Sequence, residues 1–152
     1  VKQPLLVAGA ALALSSFAGA QKFSVGGGVS GSAASGSAAQ LSFGINFGVE
    51  DLARLGPVGV DARLDVDGTL VSSTLGLSVG AAVMGTFGVG GITLYAGPRA
   101  VYAVSLVGSF GFGAIAGGRY SIASNISAYL EGKFLFTPVF TWAVGVGARF
   151  SF

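Results

Sequence analysis

Val139-Phe140-Thr141-Trp142-Ala143-Val144-Gly145-Val146-Gly147-Ala148-Arg149-Phe150-Ser151-Phe152 reads with a period of two. Its even positions carry Trp142, Val144, Val146, Ala148, Phe150 and Phe152, and its odd positions Thr141, Ala143, Gly145, Gly147, Arg149 and Ser151. Successive side chains of a β-strand point to opposite sides, so this is a strand with one large apolar face and one small or polar face. A soluble sheet burying that apolar face would present Lys, Glu and Asp on the other. Here the other face carries glycine and a single Arg. The pattern suits hydrocarbon outside and a narrow lumen inside.

The composition points the same way. Of 152 residues, 52% are hydrophobic and only 9% charged, against roughly 25% charged in soluble domains. A wet surface is hard to build from so few charges. The apolar residues are nevertheless broken every few positions by Gly, Ser or Thr. After residue 20 there is no clean apolar run of the ~20 residues that a spanning helix needs. The 27 glycines also weaken helices. A polytopic helical membrane protein is thereby disfavoured. So is a soluble ligand-binding barrel, which needs its large apolar face inward and a charged exterior.

The sequence splits into a leader and one domain. Lys2, the apolar run Leu5 to Leu14 and the small residues Ala18-Gly19-Ala20 read as a secretory signal over 1–20, with the mature chain expected from Gln21. The roughly 130 residues of 21–152 divide into eight stretches of about 16, each a transmembrane strand plus its connection. The expected fold is therefore all-β, an eight-stranded antiparallel transmembrane barrel.

Strands are expected at Lys22–Ser30, Ala39–Val49, Val58–Asp67, Ser73–Thr86, Ile92–Val101, Ser109–Tyr120, Ile126–Thr137 and the closing stretch quoted above. Glu50 to Pro57, with Glu50, Asp51 and Arg54, reads as a charged connection with room for one helical turn. Asp67-Gly68 is a strong hairpin signal, and Gly88 to Gly91 reads as another turn. Pro98 has no N–H for a ladder and suggests a bulge or a strand end. Aromatic residues near the expected strand ends, among them Phe23, Phe43, Phe47, Tyr120, Phe134, Phe136 and Phe140, suggest two interfacial girdles.

Parity turns eight charges inward: Asp61, Arg63, Asp65, Arg99, Arg119, Glu131, Lys133 and Arg149, three acids and five bases. Charges taken out of water must pair, and an eight-stranded barrel is just wide enough for side chains to fill. One reading is a mutual ion network that plugs the lumen. The other is a narrow ion or solute path lined by the same residues.

Other chemistry finds little support. There is no histidine and no cysteine, which removes the commonest general base, the Ser-His-Asp arrangement, disulfides and thiolate metal sites. Gly88-Val89-Gly90-Gly91 lacks the Lys-Ser/Thr and following helix of a phosphate loop. The scattered net charge of +2 offers no basic patch for nucleic acid. Asp65 with Asp67 beside the expected hairpin is a conceivable cation site on an exposed loop. No enzyme activity, cofactor or metal is expected.

Gly118-Arg119-Tyr120-Ser121-Ile122-Ala123-Ser124-Asn125-Ile126-Ser127-Ala128-Tyr129-Leu130-Glu131-Gly132-Lys133-Phe134 resembles a turn and the seventh strand of small OmpA/OmpX-like outer-membrane barrels. The ending Gly145 to Phe152 resembles their closing strand. That resemblance implies a monomer in the bacterial outer membrane, with lipid around it and both termini periplasmic. It also implies that the barrel-assembly machinery reads a terminal signal, here Trp142, Phe150 and Phe152. Its surface loops, expected near 31–38, 67–72, 102–108 and 137–139, depart from those families in being short and nearly uncharged, which argues against adhesion or receptor roles. The expected function is structural support of the envelope, with the narrow pore as the alternative.

Overall fold

A computed structural model of the chain describes residues 21–34, 38–104, 108–137 and 140–152. The expected leader over 1–20 lies outside the described residues, as do parts of three expected loops. Eight antiparallel strands pair in sequence order and close: β1 (Lys22–Ala34), β2 (Gln40–Leu55), β3 (Val58–Val71), β4 (Thr74–Val89), β5 (Ile92–Ala103), β6 (Ser109–Ser121), β7 (Ile126–Leu135) and β8 (Thr141–Ser151). Closure joins β8 to β1, with Gly147 opposite Gly28. Phe23 and Phe152 complete the seam by exchanging backbone bonds of 3.0 and 2.9 Å. A closed sheet leaves no unpaired edge.

Short turns at Gly56–Pro57, Gly90–Gly91 and 122–125 lie at the end that carries both strand termini, the terminal rim. The ends of β1, β3, β5 and β7 and the starts of β2, β4, β6 and β8 lie at the opposite end, the loop rim. Gly90 and Gly91 both have positive φ, 55° and 85°, the backbone that a two-residue hairpin requires and glycine supplies without strain.

The alternation runs around the wall, broken at one bulge in β2. Outward positions are exposed and apolar, as with Phe43, Ile45, Leu64, Val83, Leu130 and Val146. Inward positions are buried and small or polar. The apolar core inside the lumen is slight: Ala82, Met84, Tyr95 and Ile115. Most of the rest of the interior is polar or ionic. Aromatic side chains gather towards both ends. Phe23, Phe150 and Phe152 cluster at the terminal rim, and Tyr102 with Phe110 and Phe112, and Phe136 with Phe140, at the loop rim. Phe47, opposite Leu64, departs from this by lying in the middle of the wall.

Three local expectations fail. Asp67-Gly68 is no turn: β3 continues to Val71, Gly68 pairs with Leu77, and the chain reverses at Ser72–Ser73, with Ser72 at φ 56°. Glu50 to Pro57 is mostly strand rather than a loop with a helical turn. β2 runs to Leu55 through a bulge between Val49 and Ala53, where Asp51 takes φ 56°. Glu50 keeps the inward parity of Gly48, and the bulge beyond it re-aims the strand so that Arg54 reaches the rim. Pro98 causes neither a bulge nor a strand end. It sits inside β5 opposite Ala114 with no change of register.

Candidate functional site: a charged plug in the lumen

The lumen is filled in three tiers. In the middle one, Arg63 of β3 donates through Nη1 and Nη2 to Glu131 of β7, at 2.8 and 3.0 Å. Its Nε lies 2.8 Å from Asp65. The Tyr95 hydroxyl of β5 donates to the same carboxylate at 2.8 Å. Arg63, Asp65 and Glu131 are all but inaccessible to solvent. A two-pronged Arg–carboxylate pair fixes geometry as well as charge, and the tyrosine satisfies a further lone pair, which a buried ion pair needs. Beside it, Asn46 donates to the Tyr129 hydroxyl at 3.2 Å.

Towards the loop rim, Asp67 holds two cations. Arg99 Nη2 approaches it at 2.7 Å and Lys133 Nζ at 2.9 Å. Arg99 Nε also lies 3.4 Å from Asp65, tying this tier to the middle. Towards the terminal rim, Arg119 donates to Glu50 at 2.8 Å and lies 3.5 Å from Asp61. Asp61 accepts the backbone N–H of Asp51 at 2.9 Å, so the bulge in β2 is held by a lumen carboxylate. Arg149 Nη1 stands 3.7 Å from Glu50, and its guanidinium lies 5.8 Å from the Tyr129 ring centre. Arg149 Nε and Nη2 have no hydrogen-bond partner among the described residues.

The strand registers explain how so much side chain fits. Glu131 sits between Gly117 and Gly145, Asp67 between Gly44 and Ser78, Asp65 between Asn46 and Gly80, and Arg63 between Gly48 and Ala82. Arg99 sits between Ala82 and Gly113, and Arg149 between Gly26 and Ser127. Large inward residues thus lie beside small ones, the packing a tapered small barrel requires. Two glycines are needed for close approach: a Cβ on Gly28 would stand 2.6 Å from the Tyr129 hydroxyl, and one on Gly147 would run into the same ring.

All eight residues that parity turned inward face the lumen. Asp61, Arg63, Asp65, Arg99, Glu131 and Arg149 are buried, and Arg119 and Lys133 are partly so. Glu50 and Asp67 join them. The count of three acids and five bases is therefore corrected to five carboxylates (Glu50, Asp61, Asp65, Asp67, Glu131) and five cations (Arg63, Arg99, Arg119, Lys133, Arg149). The exposed-loop cation site at Asp65 and Asp67 does not exist, because both carboxylates lie inside and are engaged by cations. Trp142, Phe150 and Phe152 project outward from β8 and its end.

The charged tiers lie between two cavities, a polar one at the terminal rim and a more apolar one at the loop rim. One of about 430 Å³ opens at the terminal rim, lined in part by Glu50, Arg119, Thr86, Ser127 and Ser151. One of about 250 Å³ opens at the loop rim, lined in part by Ser42, Asp67, Arg99 and Lys133. Between them, beside Asn46, Asp65, Tyr129 and Glu131, lies a cavity of about 20 Å³, roughly the space of one water molecule.

No protein-family model matches the chain, and no curated protein does. Solved structures match its fold. Neisserial surface protein A is similar over 87% of this chain and 97% of its own, at 20% identity and TM-score 0.56. Ail, the attachment invasion locus protein of Yersinia pestis, is similar over 87% and 97%, at 16% identity and TM-score 0.54. A de novo designed transmembrane β-barrel is similar over 86% and 95%, at 14% identity and TM-score 0.59.

Proposed function

We propose that this chain is an integral barrel of the bacterial outer membrane whose role is structural, a closed and internally braced wall element rather than a conduit. The observation that carries this reading is the middle tier. Arg63, Glu131, Asp65 and Tyr95 close the lumen with paired, buried groups where an open pore would need water. The apolar exterior supports a lipid surround. The sequence holds neither histidine nor cysteine, and the lumen carboxylates are occupied by cations, so no catalytic role is proposed.

In this reading the barrel is a monomer in outer-membrane lipid with its terminal rim in the periplasm. Trp142, Phe150 and Phe152 form the signal read by the barrel-assembly machinery. The stacking of Phe152 on Phe23, with ring centres 6.5 Å apart, supports a role for the last residue at the seam itself.

A narrow pore is the second reading, favoured by the two cavities that approach the plug from either end, of which the one at the terminal rim is polar. Planar-bilayer recordings of the purified, refolded chain separate the two, with Arg149→Ala alongside. The structural barrel gives no discrete openings in either protein. Steady openings whose ion selectivity changes in the variant would replace it with the pore.

A further inference from the structure

The ladder between β4 and β5 keeps one register from end to end, yet it skips two rungs. Ala82 pairs with Arg99 and Gly85 with Ala96, while Val83 and Met84 do not pair with Pro98 and Gly97. On its other side β5 pairs without a break, Gly97 with Ile115 and Pro98 with Ala114. Antiparallel strands exchange N–H and C=O bonds in pairs, and proline has no N–H to give. The Val83 carbonyl therefore lacks the donor that any other residue at position 98 would supply. Water does not reach that oxygen from inside. A Cβ on Gly97 would run into it, so its lumen side is closed. Behind Gly97 lies the apolar part of the lumen, where Met84 and Ile115 are buried. An acceptor kept from both donor and water is costly, above all in a bilayer.

On the outer face, Val83 and Pro98 line a groove of about 980 Å³ that is almost wholly apolar, a size within the range of small-molecule sites. One row of outward residues across the strands explains its shape. Phe47, Leu64, Ala81, Ala100 and Phe112 stand opposite one another in turn. Two alanines between bulky neighbours leave a hollow, and the skipped rungs lie beside them. The same place thus combines an apolar groove outside, a closed apolar lumen inside and one unfilled acceptor between them.

We propose that this groove binds a lipid chain carrying a hydroxyl part-way along its length, and that the hydroxyl donates to the Val83 carbonyl. The apolar walls select the chain, and the unfilled acceptor selects the donor. Val83 and Pro98 lie inside β4 and β5, well away from either rim. The hydroxyl therefore belongs to the interior of the chain and not to a headgroup. The inference rests on the membrane reading above.

The test titrates the barrel, refolded in detergent micelles with isotope-labelled valine carbonyls, against 12-hydroxystearic acid and against stearic acid. The Val83 carbonyl resonance is identified by its loss in Val83→Ile. The hydroxy acid is expected to move that resonance and to bind about five-fold more tightly than stearic acid, the range of one net hydrogen bond. Pro98→Ala supplies the missing N–H. It is expected to leave the two acids bound alike and to raise the urea midpoint of the barrel. Ala100→Phe fills the hollow and is expected to abolish binding of both. Gel mobility in detergent confirms that each variant still folds. Equal binding of the two acids, no binding of either, a Val83 resonance that does not move, or a preference that survives Pro98→Ala overturns the proposal and leaves the membrane reading standing. A chain that folds in water with neither detergent nor lipid sinks both.

Discussion

Arg63 and Glu131 are 68 residues apart in sequence and meet across the lumen in a two-pronged ion pair. Neither has water to fall back on. Arg63→Ala leaves the Glu131 carboxylate buried with Tyr95 and a Lys133 Nζ 3.7 Å away. Removing one partner of a buried pair costs about 3–5 kcal/mol. Urea titration of the barrel in lipid vesicles should show that loss. Arg63→Met combined with Glu131→Leu should recover only part of it, because Asp65 loses its nearest cation and keeps only Arg99, 3.4 Å away. Equal losses in the single and double variants would mean that the pair is not the source of the stability.

Gly80 is predicted to be coupled to Arg99. A Cβ on Gly80 would stand 2.7 Å from Arg99 Nη2 and 3.0 Å from its Nε, and its three nearest neighbours all belong to that guanidinium. Gly80→Ala should therefore act by pushing the guanidinium off Asp67, at a cost of about 1–3 kcal/mol. In an Arg99→Ala background the same substitution should cost almost nothing. A double-mutant cycle of unfolding free energies checks this, and additive effects would disprove the coupling.

Val146 lies outward in the middle of β8, about half exposed. If lipid surrounds the wall, Val146→Arg should cost about 2–4 kcal/mol in a bilayer. On a soluble barrel, the same change on an exposed strand position would be near neutral. Folding yields in vesicles, compared with those of Val146→Leu, decide between the two surroundings.

Phe152→Ser keeps the two backbone bonds to Phe23 and removes the ring. Refolding in detergent should then be little changed, because the two exposed ring contacts of Phe152, with Phe23 and Phe150, are worth only about 0.5–1.5 kcal/mol each. Membrane assembly in cells should fall sharply if the assembly machinery reads this ring. The check is the amount of heat-modifiable, protease-resistant barrel in the membrane fraction. An undiminished amount would refute the signal.

The wall was legible because its two faces differ in kind. In β8, Val144, Val146 and Phe150 against Gly145, Gly147 and Arg149 leave no doubt which face is inside. The same parity reached Glu50, two residues beyond Gly48, and Asp67, two beyond Asp65. Both were misread because a local rule was allowed to override the period. Asp-Gly is a turn signal only where the chain is free to turn, and at Gly68 the ladder with β4 holds it straight. Similarly, the cluster Glu50-Asp51-Arg54 looked like a wet loop, yet one bulge divides it between lumen and rim. The imbalance of three acids against five bases was itself a signal that two acids were missing. The pairing of Arg63 with Glu131 rather than with Asp61 was not legible at all. It depends on how far the strands slide past one another at closure, which no single strand records.

Five carboxylates balanced by five cations have an electrical consequence. A voltage across a membrane does work on a moving body in proportion to the charge that body carries. The plug as a whole carries none, so a potential difference has no net grip on it and cannot drive it along the axis as a unit. Only an exchange of partners, such as Lys133 leaving Asp67 for Glu131, would move charge through the field. With five charges of each sign, the interior offers a transmembrane potential no net force, only a torque on its separated pairs.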